Sequence, residues 1–138
     1  MQLSISEILK NANNISSKQG KINYLRENWS QALLVVLRYT FDPNLKFLLP
    51  EGRPQFKKSD YRDSQGMLYG EARKLYLFVE GGNDNLNQMK REQLFVGILE
   101  SIDPEDAELL LHVKEKKLPY KGITLALVQE AFPEQING

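Results

Sequence analysis

A chain of 138 residues, 41% hydrophobic and 26% charged, has the length and balance of one globular domain that folds without a metal or a disulfide. Cysteine is absent, which excludes a disulfide framework, a thiolate metal site and a cysteine nucleophile, and fits a reducing compartment. Basic and acidic residues number 18 each, so the formal net charge is zero; this argues against coating nucleic acid by bulk charge but leaves room for a local basic patch.

The N-terminal stretch MQLSISEILKN has no basic region followed by an apolar run, so no signal peptide is expected. The longest apolar run, Ala32 to Leu37, is far short of the ~20 residues of a membrane helix. Ser4-Ile5-Ser6-Glu7 fits a capping box, and Ile5, Ile8, Leu9 and Ala12 follow at helical spacing, predicting a first helix over about 5–13. Ser16 to Gln19 repeats the capping pattern, and Ile22 and Leu25 face inward on a second helix over about 17–28. Ser30 is an N-cap candidate for Ala32 to Phe41, which is apolar nearly all round and suits a helix in the middle of the core. A buried strand competes there because Val35, Val36 and Tyr39 favour strands; length and the serine cap favour helix.

Asp42-Pro43-Asn44 is a turn signal, and an irregular loop is expected over about 43–65, with Lys46 to Leu49 as a short extended piece. Arg53, Lys57, Lys58 and Arg62 make the loop locally basic against Glu51, Asp60 and Asp63, with Phe56 and Tyr61 among the charges. Two readings stand: a solvated loop pinned by aromatics, or a nucleic-acid contact surface. Leu68, Ala72, Leu75, Tyr76 and Val79 form one stripe, predicting a fourth helix over about 66–80 that Gly81-Gly82 ends. Asn83 or Asn85 is expected to cap a fifth helix over about 86–101, in which Gly97 costs ~1 kcal/mol against alanine and suggests a close helix crossing. Asp103-Pro104-Glu105-Asp106 starts a sixth helix over about 104–116, and a seventh follows over about 123–132, stopping before Pro133. The expected fold is all-α: a single domain, 1–138, of about seven helices with one long irregular loop.

Little in this pattern suggests catalysis. The acids at 103, 105, 106 and 108 are explained by helix capping, and His112 is the only histidine, on a polar helix face beside Glu108 and Lys116. There is no phosphate-binding G-x-x-x-x-G-K-[ST] loop, no G-x-G-x-x-G and no G-x-S-x-G elbow. No catalytic residue, metal ligand or cofactor is expected. Tyr69, Tyr76, Phe78 and Phe95 are expected in or against the core, and Trp29 is read as packing rather than recognition.

The segment between the last two helices carries the strongest functional signal. Lys114, Lys116, Lys117 and Lys121 cluster before Gly122-Ile123-Thr124. A glycine and a hydroxyl residue at a helix start present N–H groups and a positive dipole end to an anion such as a phosphate. The plain alternative is a surface turn whose lysines balance the dipole of the helix they follow.

Three blocks then carry a resemblance: Ser17-Lys18-Gln19 with Ile22 and Leu25 leading into Ala32 to Phe41; Leu45 to Pro50; and Asp106 to Pro133, with a basic helix end, a Gly-x-[Ser/Thr] helix start and an aromatic-Pro close. In these the chain resembles the helical N-terminal DNA-binding domain of ATP-dependent DNA ligases, particularly the short form of T4-like phages. The turn before Gly122 is one residue longer than in the phage ligase, and the family's catalytic domain and nucleotidyl lysine are missing, so no ligase activity follows. The resemblance implies phosphate contacts at Gly122 and Thr124 with Lys117 and Lys121 beside them. The chain is also similar to short proteins of T4-like phages that infect cyanobacteria, which implies a viral origin and action in the host cytoplasm. The leading expectation is a non-catalytic protein that binds duplex DNA through its backbone without sequence specificity, using Lys114, Lys116, Lys117, Lys121, Gly122 and Thr124, joined by Arg53, Lys57 and Lys58. The alternative is a helical protein-interaction module docking on a replication, host or virion protein; it predicts an exposed apolar patch around Phe47, Leu48, Phe56 and Tyr61.

Overall fold

The computed structural model describes residues 3–60 and 66–136. Among them lie seven α-helices: α1 Ile5–Asn14, α2 Lys18–Glu27, α3 Gln31–Phe41, α4 Met67–Glu71, α5 Gln88–Ser101, α6 Pro104–Lys114 and α7 Leu125–Ala131. The fold is a compact, all-α single domain. Local chemistry sets most boundaries. The Ser4 hydroxyl accepts the Glu7 amide, Ser30 accepts that of Leu33, and Asp103, with proline next, accepts that of Glu105. Two expected caps shift by register: Ser17 rather than Ser16 caps α2, and Asn87 rather than Asn83 or Asn85 caps α5.

The stripe predicted as one helix over 66–80 divides. After α4 the chain tightens into a 3-10 helix, Ala72–Phe78, whose buried residues Ala72, Leu75 and Phe78 recur every third position. Tyr76, read as core, falls off that face and is largely exposed. The segment ends in a turn that requires glycine: a Cβ on Gly82 would lie 1.8 Å from the Tyr76 carbonyl oxygen. Arg91 is buried beneath this turn, where it donates to the carbonyls of Leu77, Asn83 and Leu86.

The core is continuous. α3, apolar nearly all round, packs on α4, the 3-10 helix and α6; α1 packs on α2 and α6, α2 on α7, and α5 on α6. Leu33, Val36 and Leu37 of α3 are fully buried, so the helical assignment of this run holds over the strand. Phe78 and Phe95 meet edge to face, 5.2 Å between centroids. Lys46 to Leu49 is extended, as expected, and makes one antiparallel bridge, Phe47 to Val79: Leu48 donates to Phe78 and Glu80 donates to Lys46. Tyr61, Arg62, Asp63 and Gln65 lie outside the described residues.

Asp106 joins two helix starts. It stands in the first turn of α6, yet its Oδ1 accepts the Ser6 amide in the first turn of α1 at 2.9 Å. One carboxylate thus serves the positive ends of both helices. Tyr69 and Tyr120 flank α1, donating their hydroxyls to the carbonyls of Leu3 and Ser6. Asp106 is fully buried, and its Oδ2 has no hydrogen-bond partner among the described residues.

Candidate functional site

The basic turn after α6 is built as a helix stop. The Lys117 amide donates to His112 and the Lys116 amide to Val113, the paired bonds of a Schellman motif. The position that usually takes glycine holds Lys116, at φ +63°. A lysine there costs roughly 1–2 kcal/mol of backbone strain, and its ammonium supplies the compensation. It donates to three carbonyls at the end of α3 and just beyond: Tyr39 at 2.5 Å, Leu45 at 2.8 Å and Asp42 at 2.9 Å. Burial lowers the Lys116 pKa, opposed by Asp42.

Lys114 is buried and equally occupied. Its ammonium donates to the carbonyls of Pro50 and Gly52, each at 2.9 Å, and to the Glu115 carboxylate at 2.5 Å. That hydrogen bond lowers the Glu115 pKa. An ammonium has three protons, so neither lysine retains one for a phosphate.

The helix start predicted at Gly122 also differs. The Gly122 amide donates to the Asn13 Oδ1 at 2.7 Å, and a Cβ there would collide with the same oxygen at 2.7 Å. The helix begins later: Thr124 is its N-cap, with the hydroxyl accepting the Leu127 amide. Thr124 therefore caps the start of α7, and Gly122 ties that start to α1. The side chains of Lys117 and Lys121 are exposed and make no ion pair among the described residues.

The three loop cations are held differently. Arg53 makes a two-pronged pair with Glu108, 2.6 and 2.7 Å, which raises the Arg53 pKa and lowers that of Glu108. The Lys57 amide donates to Glu100 at 2.7 Å, leaving its side chain exposed, and Lys58 is exposed in the field of Glu108. Residues 48–57 thus form a strap fixed to α5 and α6 by Gln88, Glu100, Glu108, Lys114 and Glu115.

Between strap and α5 runs a largely apolar groove of about 510 Å3, within the range of ligand-binding clefts. Leu49, Pro50 and Pro54 form one wall. The other is the outer face of α5, where two rows at helical i,i+4 spacing run side by side: Met89, Gln93, Gly97 and Glu92, Val96, Glu100. Gly97 does not mark a helix crossing. A Cβ there meets nothing within 4 Å, so the glycine notches an exposed helix face. Met89 at the other end of the row is 70% exposed. The apolar patch expected at Phe47, Leu48 and Phe56 is instead half-buried, and the groove lies beside it. Trp29, read as packing, is 60% exposed. The sequence signal for the groove was Gly97 with Met89 two turns earlier on one face, opposite a proline-bearing strap.

A family model described as a family of unknown function (DUF6433) matches residues 8–120. The chain belongs to that family. The match takes in the strap, the groove and the Schellman turn, and stops short of Gly122 and Thr124. No curated protein matches the chain.

Proposed function

We propose that the chain is a non-catalytic helical interaction module that holds a segment of a partner protein in the groove between α5 and residues 49–54. The observation that carries this is the notch at Gly97: open space above the α5 backbone, in the wall of a groove that Met89, Val96, Leu49 and Pro54 also line. A side-chain-sized hole in a helix face is what a docking side chain fills. A phage or host replication protein, met in the host cytoplasm, is the partner class to screen first, on the phage resemblance proposed from the sequence. The test is selection of a randomised peptide library on the folded protein, followed by titration of the enriched peptides. Gly97→Leu fills the notch and raises helix propensity. Enriched peptides should bind it at least about tenfold more weakly, a loss of about 1.4 kcal/mol, while its melting temperature holds or rises. Equal binding to both proteins, or no enrichment, refutes the groove.

Duplex DNA binding is the second reading, supported by the exposed side chains of Lys57, Lys58, Lys117 and Lys121. With three or four phosphates neutralised, log K should fall against log salt with a slope near about −3. Lys117→Glu with Lys121→Glu should flatten it. A nicked duplex that shows no salt-dependent binding removes this reading.

A further inference from the structure

We infer that the occupant of the groove is a segment pairing one large apolar side chain with adjacent lysine or arginine; this rests on the groove being the docking site. The charges that remain uncompensated around the groove select this occupant. Five ionisable residues line it: Glu51, Arg53, Glu92, Glu100 and Lys114. The two cations are matched at home. Arg53 is held by both oxygens of Glu108, and Lys114 has its three protons on Pro50, Gly52 and Glu115. The three acids are not matched by cations. Glu92 accepts from the neutral Gln88 side chain at 3.1 Å, Glu100 accepts the Lys57 backbone amide at 2.7 Å, and Glu51 is exposed. Among the described residues no cationic side chain lies within ion-pair distance of any of the three.

The placement of these acids gives the occupant its pattern. Glu92 and Glu100 flank Val96, one turn before and one turn after, in the row beside the Gly97 notch. Glu51 stands on the facing wall. An apolar side chain in the notch therefore has carboxylates on either side of it along α5 and a third across the groove. A basic neighbour on the occupant meets one of them from either direction, whereas an acidic neighbour meets repulsion from all.

Three synthetic peptide sets test this, each with a fixed central leucine flanked by lysine, glutamine or glutamate, titrated by fluorescence anisotropy at low salt. The lysine set should bind about tenfold more tightly than the glutamine set, since exposed pairs contribute little singly and add across the groove. The preference should shrink at about 0.5 M salt. The variant Glu51→Lys with Glu92→Lys should invert the order and favour the glutamate set; Glu100 is left in place because it holds the Lys57 amide. If the lysine and glutamine sets bind alike, or the double variant keeps the wild-type order, the charge inference is overturned while the groove stands. If no set binds the wild type and Gly97→Leu changes nothing, the groove reading falls with it.

Discussion

Replacing Asp106 by asparagine tests the joint between α1 and α6. Burial is the main cause that lifts the Asp106 carboxyl from its ordinary 3.8 to about 6, against the hydrogen bonds from Ser6. Asp103 and Glu105 push it further in the same direction. The folded protein therefore holds this proton more tightly than the unfolded chain does. Its contribution to stability is complete below pH 3.8 and is lost as the pH rises through about 6. A rise of about two units corresponds to ~3 kcal/mol. Glu108 and Glu115 act oppositely: their depressed pKa values stabilise the fold at higher pH and fail on acidification. The raw pH profile mixes both signs, so the variant is needed to isolate one carboxyl.

Asparagine keeps Oδ1 to accept the Ser6 amide but buries an NH2 where Oδ2 has no partner. That penalty, ~1–3 kcal/mol, does not vary with pH. The diagnostic is therefore the slope, not the offset. Urea unfolding of both proteins from about pH 4 to about pH 7 should show the wild type losing ~3 kcal/mol relative to Asp106→Asn as pH rises. The asparagine variant should start less stable and close that gap, or overtake, by neutral pH. A difference that stays constant across the range would refute a raised Asp106 pKa, and with it the idea that two helix starts share a buried, protonatable group.

Three further outcomes follow from the turn and the groove. Lys116→Ala leaves three carbonyls without their donor and keeps a strained left-handed residue, so it should cost ~2–3 kcal/mol in urea unfolding, while Lys116→Gly should cost about 1 kcal/mol less. Equal losses would argue against the left-handed conformation. Gly97→Ala should stabilise the protein by up to ~1 kcal/mol, read as a higher melting temperature, because its Cβ enters open space. Lys114→Met should release the strap without loosening α6, seen as faster amide exchange and proteolysis confined to residues 50–58.

How much of this was legible in the sequence depended on the range of the interaction. Ser4, Ser30 and Asp103 cap the helices that follow them because the bond spans two or three residues. Where several candidates stand together the register slipped, as from Asn83 or Asn85 to Asn87, because each offers the same oxygen and packing of the helix decides among them. The 3-10 segment was misjudged for a related reason. Positions 72 and 75 suit both periods, and the burial of Phe78 with the exposure of Tyr76 separates three residues per turn from 3.6. The acids at 103 to 108 were read together as capping groups, yet Asp106 caps a helix a hundred residues away and Glu108 pairs with Arg53. Neither long-range partner has a local signature.

The lysines of the turn show the same limit most clearly, and they bear on function. A cluster of cations in sequence reads as a cluster of charge on the surface. Here the fold directs cations to carbonyls that helices leave without donors at their C-terminal ends. Lys116 takes those at the end of α3, Arg26 takes Glu130 and Ala131 at the end of α7, and Lys21 takes Asn13 and Ile15 at the end of α1. Each bond ties the end of one helix to a residue from another part of the chain, so the cations act as staples within the domain. Glu51 and Glu92 are not drawn to helix starts, because those are already served by Ser4, Ser17, Ser30, Asn87, Asp103, Asp106 and Thr124. A chain of zero net charge can thus leave acids uncompensated around its groove while the cations nearest to it, Arg53 and Lys114, are paired within the domain. This asymmetry is the physical reason to weigh a basic, apolar partner segment above a phosphate backbone.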